Sequence, residues 1–308
     1  MITKEPYNKS GFQQNKLFTK TARNAFLHIL RRLRSEGREL LLPEYIGMND
    51  YEGSGVFDVV RISRIPFNFY KVSNSLSPIM DEIPLEEDKK YCLLAIHYFG
   101  FPPDNFNALI STCKSKDIIL IEDCAHTIGG KFEGTYLGEF GTYAIHSIHK
   151  ILPTFDGGIL VDNSNKEPFK FTVEEEGIKQ ETLALYALSE FDKINQKRRA
   201  NYQVYLDLLK ENELLTFLHP QLTNGISPLN FPVLIGNNKR EKLYFDLIEY
   251  KILTSALYYK LIPEIAQNSF SNAMIISNSI LNLPVHQDVN ANEIEYICET
   301  INKLITNL

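Results

Sequence analysis

Cysteine is scarce in this chain, and its few cysteines form no paired motif. Among 308 residues there are 4 cysteines, and no two of them are spaced as Cys-x-x-Cys. Paired spacings of that kind are typical of zinc sites and redox motifs, and a dense cysteine set is typical of small secreted domains. Cys92 and Cys298 stand in apolar contexts and are expected in the core. The pattern indicates a protein of a reducing compartment.

Long apolar runs and an excess of positive charge are also lacking. No run approaches the roughly 20 apolar residues that a membrane-spanning helix needs, and residues 1–6 carry no signal-peptide pattern. The chain has 32 Lys and Arg against 38 Asp and Glu, a formal net charge of −6. This balance argues against nucleic acid or an anionic membrane as the main partner. We therefore expect a cytoplasmic protein that binds neither nucleic acid nor a membrane.

What the chain does contain is an alternation of apolar runs and helical patterns. Residues 91–97 and 118–122 read as strands around a helical stretch at 104–115, and Thr21 is placed to cap a helix at 22–33. Further short apolar or alternating runs, read as strands, lie at 39–42, 56–62, 67–72 and 158–161. Such alternation predicts an α/β fold with a mixed, mostly parallel sheet covered by helices.

The second half of the chain has a different character. A helical pattern without Gly or Pro runs from 181 to 209, and helices of this length often join a large domain to a smaller one. Beyond it, residues 231–235 and 280–285 read as strands, and residues 239–250 and 292–308 read as helices. The sequence predicts a large domain over residues 1–190 and a small α+β domain over residues 191–308.

Two residues give the most specific chemical signal. Asp123 follows the apolar run 118–122, and Lys150 ends the segment 144–150, which is followed by Asp156-Gly-Gly158. In parallel sheets, ligands bind beyond the carboxyl ends of the strands, where Asp123 is expected to lie. An acid and a lysine are what an enzyme that uses pyridoxal 5'-phosphate needs. The amine can form a Schiff base with the cofactor aldehyde, and the carboxylate can hold the pyridine nitrogen protonated.

Two neighbours of Asp123 fit the same cofactor. Ala125 is small enough for a flat ring to lie against it. His126 could hydrogen-bond the phenolic oxygen of the ring or cover the ring face. A purely structural role for His126 is an equally good interpretation of the sequence.

Candidate phosphate ligands come from two places in the chain. Ser147 precedes Lys150 by three residues, so the two side chains share a face if this turn is helical. The hydroxyl can then reach the phosphate while the amine reaches the aldehyde. Thr21, Ala22 and Arg23 open the first predicted helix. Helix N-termini bind phosphate through unpaired N–H groups and the helix dipole, and Arg23 could add a charged fork.

A metal site is the alternative interpretation of the same region. The side chains that could share an ion are His97, Asp123, His126, His146 and His149. His146 and His149 would share a face on a helix and would face opposite sides on a strand. This interpretation leaves Lys150 and the Asp-Gly-Gly sequence unexplained, so we favour the cofactor site and predict no metal.

Three blocks of sequence, with weaker landmarks on either side, carry a family resemblance. The blocks are Ile121-Glu-Asp123-Cys-Ala-His126, Gly134-x-x-x-Gly138-x-x-Gly141, and Ser147-x-x-Lys150 followed by Asp156-Gly-Gly158. The landmarks are Leu42-Pro43-Glu-Tyr45, His97-Tyr-Phe-Gly100, Lys197-Arg-Arg-Ala-Asn201-Tyr and Ile280-Leu-Asn-Leu-Pro284-Val-His286. Together they resemble the DegT/StrS family of pyridoxal phosphate-dependent sugar aminotransferases.

The resemblance implies the type I fold of pyridoxal phosphate enzymes, with Lys150 as the Schiff-base lysine and Asp123 at the pyridine nitrogen. It implies His126 near the phenolic oxygen, and Ser147 and the turn at 21–23 near the phosphate. It also implies homodimers with active sites at the subunit interface. The implied substrates are small molecules: an amino acid donor, glutamate in the family, and a keto-sugar or related carbonyl acceptor.

Two other functions stay open. One is a different pyridoxal phosphate reaction, such as dehydration of a sugar. The other is a regulator or scaffold that binds the cofactor without transaminase activity. The second alternative is motivated by the stretch 162–181, which is shorter than in the resembling family.

Overall fold

The structure is a computed structural model, and it describes residues 15–164, 166, 169, 177–267 and 271–306. Residues 1–6, on which the expectation of no signal peptide rests, lie outside the described residues. So do residues 165, 167, 168 and 170–176 of the short stretch 162–181, and the last two residues of the predicted terminal helix.

The first half of the chain alternates strands and helices. In chain order the elements are β1 (Lys16–Thr19), α1 (Ala22–Ser35), β2 (Arg38–Pro43), α2 (Phe57–Ser63), β3 (Phe67–Tyr70), β4 (Lys90–Ile96), α3 (Phe106–Ser115), β5 (Ile119–Asp123), β6 (Lys131–Phe132), β7 (Thr135–Tyr136), β8 (Tyr143–Ser147) and β9 (Gly158–Asp162). Strands β6 and β7 form a separate two-stranded ribbon.

The described residues form one seven-stranded sheet in the order β1-β9-β8-β5-β4-β2-β3. The five strands from β8 to β3 run parallel, and β9 and β1 pair antiparallel at one edge. The inner strand β4 is buried from Tyr91 to Ile96, as expected for a parallel strand covered on both faces. The predicted mixed, mostly parallel sheet is confirmed.

Helix α1 lies beside the β8–β9 edge and begins where the sequence predicted. Its buried stripe has the helical spacing of an amphipathic element and consists of Ala25, Phe26, Ile29, Leu30 and Leu33. The Thr21 side chain accepts a hydrogen bond from the Asn24 N–H at 3.2 Å, which is an N-cap. The start of α1 is therefore fixed by its own sequence.

The apolar run at 56–62 was read as a strand, and this prediction is wrong. The segment forms α2, whose buried side chains recur at the spacings of three and four that are typical of one helix face: Phe57, Val59, Val60 and Ser63. The Ser54 hydroxyl accepts the Phe57 N–H at 3.1 Å, and Asp58 accepts the Ser54 N–H at 2.9 Å. These local bonds stabilise the start of the helix despite the β-branched residues.

The second half of the chain is α+β. Its elements are α4 (Gln180–Leu188), α5 (Phe191–Leu209), β10 (Leu215–Phe217), β11 (Asn230–Ile235), α6 (Arg240–Glu249), α7 (Pro263–Ala266), α8 (Asn272–Ser279), β12 (Ile280–Pro284) and α9 (Ala291–Thr306). Strands β10, β11 and β12 form an antiparallel sheet, against which α5, α6 and α8 lie, and α9 packs on α5 and α6. We call residues 191–306 the small unit; the boundary at residue 190 stays a prediction.

The single helix predicted at 181–209 is divided in the structure. Ser189 takes an extended conformation after α4, and its hydroxyl donates to the Leu185 carbonyl at 2.6 Å. Helix α5 begins two residues later at Phe191. Neither Gly nor Pro marks the break. The hydrophobic pattern of the sequence continues across it, and for that reason the sequence predicted a single helix.

The small unit docks tightly on the turn that follows β4. The Leu229 N–H donates to the Phe99 carbonyl at 2.8 Å. Gly100 has a positive φ of 96°, and a Cβ there would lie 2.2 Å from the Ser227 carbonyl oxygen. This docking closes one side of the space beyond the carboxyl ends of the strands.

Among the described residues, no helix has the length and apolar character needed to cross a membrane.

Candidate active site

A cavity of about 800 Å³ lies where the parallel strands end, between α1 and the small unit. All of the site residues proposed from the sequence line it: Thr21, Ala22, Arg23, Asp123, Ala125, His126, Ser147 and Lys150. They come from three separate stretches of chain, and the sheet brings them together. Their individual roles stay predictions.

Asp123 is the last residue of β5 and is only 6% exposed. One of its oxygens, Oδ1, accepts the Ala125 N–H at 2.9 Å. Burial raises the pKa of Asp123, against the lowering effects of the Ala125 N–H, the Lys150 amine and His97. The carboxylate is therefore short of stabilising partners, and a cation in the cavity would supply one.

Lys150 ends a short 3₁₀ turn, Ile148–Lys150, directly after β8. Ser147 is the last residue of β8, so the two residues do not share a helix face as the sequence argument supposed. The Lys150 side chain is exposed to the open cavity, but the protein atoms around it displace part of its water. This burial lowers the pKa of Lys150; Asp123 opposes the shift, and the Arg23 charge adds to it.

Two glycines hold the lysine turn and α1 together. Gly157 has a φ of 114°, and a Cβ there would lie 2.9 Å from the Cβ of Ile148. A Cβ on Gly158 would lie 2.2 Å from the Thr21 carbonyl carbon and 2.4 Å from the Ala22 nitrogen. The absence of side chains at both positions lets the start of α1 reach the cavity wall.

The start of α1 has the properties of an anion site. The first N–H groups of a helix have no acceptor within the helix. The Thr21 hydroxyl is already engaged, since it accepts the Asn24 N–H as the helix cap and donates to Asn24 Oδ1 at 2.6 Å. Arg23 is exposed, lines the cavity, and makes no hydrogen bond or ion pair with any described residue. The backbone N–H groups and Arg23 are thus available to a ligand, more so than the Thr21 side chain.

His126 is held in one orientation. Its Nδ1 accepts the Phe99 N–H at 3.0 Å, and its ring stacks on Phe99 with centroids 6.1 Å apart. Burial, with a smaller effect of the Lys150 charge, lowers the pKa of His126 well below its usual value. The ring is therefore neutral, with its proton on Nε2.

The five residues of the alternative metal site do not gather. His146 Nδ1 is bonded to the Thr127 carbonyl at 3.1 Å, while His149 Nδ1 is bonded to the Ser147 hydroxyl at 3.2 Å. His97 instead pairs with Glu122 at 3.0 Å. In the described ranges, the one cluster with metal-like spacing is His97, Glu122 and Cys124.

The buried cluster around Glu122 already satisfies its own carboxylate. Glu122 accepts N–H groups from Gly138, Phe140 and Gly141 at 2.9, 2.9 and 2.6 Å, besides His97. Burial by itself raises the pKa of Glu122, but these hydrogen bonds outweigh it and the pKa is lowered. The carboxylate therefore anchors the loop at 138–141 against β4 and β5.

The sequence reasoning missed one wall of the cavity. Two chain segments, 46–56 and 254–259, line it opposite the strand ends. They are joined by backbone hydrogen bonds from Met48 N–H to the Lys260 carbonyl and from Ile262 N–H to the Ile46 carbonyl, at 2.9 and 3.0 Å. No local motif marks the second segment, and only the tertiary contact brings it to the site.

The family model of the DegT/DnrJ/EryC1/StrS aminotransferase family matches residues 85–182 and 180–302. UDP-4-amino-4,6-dideoxy-N-acetyl-beta-L-altrosamine transaminase of Helicobacter pylori is 23% identical over 260 residues, covering 73% of this chain and 69% of that protein. dTDP-4-amino-4,6-dideoxy-D-glucose transaminase of Shigella dysenteriae is 22% identical over 346 aligned residues, covering 94% of this chain and 93% of that protein.

The fold is also that of solved aminotransferases. Helicobacter pylori PseC, an aminotransferase involved in the biosynthesis of pseudoaminic acid, aligns with a TM-score of 0.77 at 20% identity. The alignment covers 95% of this chain and 87% of that chain. Because the family match spans well over half of the residues, the chain belongs to the DegT/DnrJ/EryC1/StrS aminotransferase family and is an aminotransferase of the type I fold.

Proposed function

We propose that this aminotransferase uses pyridoxal 5'-phosphate to move an amino group from an amino acid, glutamate, to a keto-sugar or related carbonyl compound. The observation that carries the proposal is that Lys150, Asp123 and the start of α1 line one cavity. A nucleophilic amine, a buried carboxylate and an anion site are the three groups that this cofactor requires.

The described residues fit the cofactor in space and in chemistry. The cavity of about 800 Å³ lies within the ~300–1,000 Å³ that is usual for small-molecule sites. Gly158 has no side chain, so the start of α1 packs directly against β9, and Thr21, Ala22 and Arg23 line the cavity. There the N–H groups of the first turn and Arg23 would hold a phosphate. Ser147 would add its hydroxyl, which is also hydrogen-bonded to His149.

When bound, pyridoxal phosphate supplies an electron sink that weakens the bond between the α-carbon of the amino donor and its hydrogen. Asp123 would hold the proton on the pyridine nitrogen and keep that sink effective. Among the residues described, its carboxylate accepts one hydrogen bond, from the Ala125 N–H, and its pKa is raised by burial. A protonated ring nitrogen therefore gives Asp123 the partner that it lacks.

Lys150 would hold the cofactor aldehyde and later move the proton that leaves the α-carbon of the donor. Both tasks need a neutral amine. Burial and the Arg23 charge lower the pKa of Lys150, so a larger fraction of the amine is neutral near pH 7 than in an exposed lysine. The Asp123 charge opposes this shift and limits it.

His126 would present its Nε2–H to the phenolic oxygen of the cofactor. The Phe99 N–H occupies Nδ1, which fixes the tautomer. Ala125 follows Asp123 closely and would leave room for the flat ring. Both roles depend on the proposed cofactor site.

The protein would act as a homodimer whose partner chain covers the cavity mouth. Tyr51 and Phe155 are apolar rings that are 100% and 98% exposed, and both lie on loops that flank the cavity. Exposed apolar side chains of this kind are typical of interaction surfaces. We expect roughly 2,000 Å² or more to be buried in total, the range of obligate dimers. Light scattering at working concentration measures the mass of the particle in solution and so tests the dimer.

A cytoplasmic location stays a prediction.

The proposed function is tested by colour. Purified protein loaded with pyridoxal phosphate should absorb in the visible, and glutamate should bleach that band as the amine form of the cofactor accumulates. Subsequent addition of keto-sugars, linked or not to a nucleotide, should restore the band only with a true acceptor. A coloured protein that no amino acid bleaches would be a cofactor-binding regulator, and a colourless protein would overturn the proposal.

A further inference from the structure

Tyr258 has a backbone conformation that is unusual for a tyrosine. It is the third residue of a turn closed by a hydrogen bond from the Tyr259 N–H to the Ala256 carbonyl at 3.0 Å, and its φ is +65°. A positive φ at the third position of a turn is free of strain only for Gly, because a Cβ is crowded by the backbone in that conformation. Strain of this kind persists where surrounding contacts enforce it, and it concentrates at functional sites.

The contacts that enforce the conformation are aromatic. The Tyr258 ring stacks on Tyr45 with centroids 5.0 Å apart, and it meets Tyr98 and Phe99 edge-on at 5.5 and 5.8 Å. Gly47 lies directly against it, so that a Cβ on Gly47 would fall 2.7 Å from Tyr258 Cδ1. The small unit thus inserts this ring into a slot that a glycine keeps open.

The same ring reaches the proposed cofactor site. Tyr258 lines the cavity with Lys150, and its ring meets the His126 ring edge-on at 6.0 Å. Burial, and then the nearby Asp123 charge, raises the pKa of Tyr258, so the hydroxyl stays a neutral donor. Within the described part of the chain that hydroxyl has no hydrogen-bond partner. A neutral donor without a protein acceptor, facing a cavity, points to a ligand oxygen.

We propose that Tyr258 is a cofactor-binding residue that the small unit contributes to the site. Its ring packs beside the cofactor ring, and its hydroxyl donates to the phenolic oxygen, next to His126. This inference rests on the proposed use of pyridoxal phosphate. Since Asp123 and His126 both neighbour Tyr258, the ring nitrogen and the phenolic oxygen would be the cofactor atoms on that side. With the nitrogen protonated opposite Asp123, only the oxygen would accept a hydrogen bond.

Two substitutions separate the ring from the hydroxyl. Tyr258→Phe keeps the ring and removes the donor. A hydrogen-bond donor to the phenolic oxygen stabilises the negative charge on that oxygen. The oxygen then attracts the proton of the Lys150–cofactor link less strongly. Its removal should raise the pH midpoint of the visible absorption change by about one unit, the size of one charge-assisted hydrogen bond. Tyr258→Leu removes the ring as well, and should weaken pyridoxal phosphate binding by about tenfold or more.

The experiment measures the pH titration of the visible band and the cofactor dissociation constant by equilibrium dialysis, on the full chain. The matched controls are Tyr296→Phe and Tyr296→Leu, since Tyr296 is a half-exposed ring on α9 of the same small unit. Thermal midpoints of all proteins without cofactor report on folding. Wild-type protein without a visible band overturns the proposed function itself. A normal wild-type band with unchanged values in both Tyr258 variants overturns only the role of Tyr258.

Gly47 provides a second variant in which Tyr258 is left intact. Gly47→Ala forces the Tyr258 ring to move, because the new Cβ has no space. It should weaken cofactor binding in the wild-type background and have little further effect in a Tyr258→Ala background, where the Cγ and Cδ1 atoms that the new Cβ would meet are gone. Equal effects in the two backgrounds would overturn the proposed contact.

Discussion

Gly158 and Thr21 approach each other so closely that a Cβ on Gly158 would lie 2.2 Å from the Thr21 carbonyl carbon. The contact joins the strand that follows the lysine turn to the helix that begins the candidate phosphate site. Gly158→Ala should therefore push α1 away from β9. Because overpacking a core typically costs about 1–3 kcal/mol, we expect a loss of that size in the free energy of unfolding by urea. Cofactor affinity should fall as well. Gly236→Ala is the control, since its nearest heavy atom is 3.3 Å away, and equal losses in both variants would argue against the contact.

Arg23→Ala should weaken pyridoxal phosphate binding by about 1.5–3 kcal/mol, the value of a hydrogen bond to a charged group. Arg23 lines the cavity and has no partner among the described side chains, so little else should change. The dissociation constant is compared with that of Arg61→Ala, which removes an exposed arginine from α2. An affinity equal to wild type would mean that the N–H groups of α1 and Ser147 hold the phosphate without Arg23.

Asp123→Asn should bind the cofactor but lose most of the half-reaction with glutamate. The neutral amide cannot hold the ring nitrogen protonated, so the electron sink is lost, and a drop of roughly 10²–10⁴-fold is expected from the loss of an acid–base group. Stopped-flow absorbance gives the rate of bleaching. Asp81→Asn, in an exposed turn, serves as the control. A half-reaction rate that matches wild type would make Asp123 a structural residue.

His146 should make stability depend on pH. Burial lowers the pKa of His146 to about 4, although its bond to the Thr127 carbonyl opposes the shift. The folded pKa lies below the unfolded value of about 6.5, so the protein is destabilised as the pH falls from about 6.5 towards 4. This one group should cost about 2 kcal/mol of unfolding free energy between pH 7 and pH 5. His146→Asn should show that much less pH dependence in urea unfolding, and an unchanged pH dependence would contradict this role of His146.

The sequence predicted most of the sheet because buried parallel strands are short apolar runs with clear ends. It also predicted Asp123, Ala125, His126, Ser147, Lys150 and the start of α1 as lining one site, since each stands at a strand or helix end. It misassigned α2, where helical burial and the local hydrogen bonds of Ser54 and Asp58 outweigh a β-branched composition. It also ran through the break between α4 and α5, where Ser189 is extended and neither Gly nor Pro is present.

Tyr258 could not be found in the same way. It lies more than 100 residues after Lys150 in a segment without a motif, and nothing in the local sequence announces its positive φ. Its place depends on a slot at Gly47 and on backbone bonds between two distant segments. Information of this kind is in the tertiary contacts and not in any window of sequence.

The central claim is that Lys150 holds the cofactor aldehyde. Borohydride reduction of protein loaded with pyridoxal phosphate, followed by proteolysis and mass spectrometry, tests it most directly. We expect one labelled peptide, with the cofactor on Lys150, and no label in Lys150→Ala treated identically. A label on a different lysine, or a wild-type protein with no label, would contradict the account.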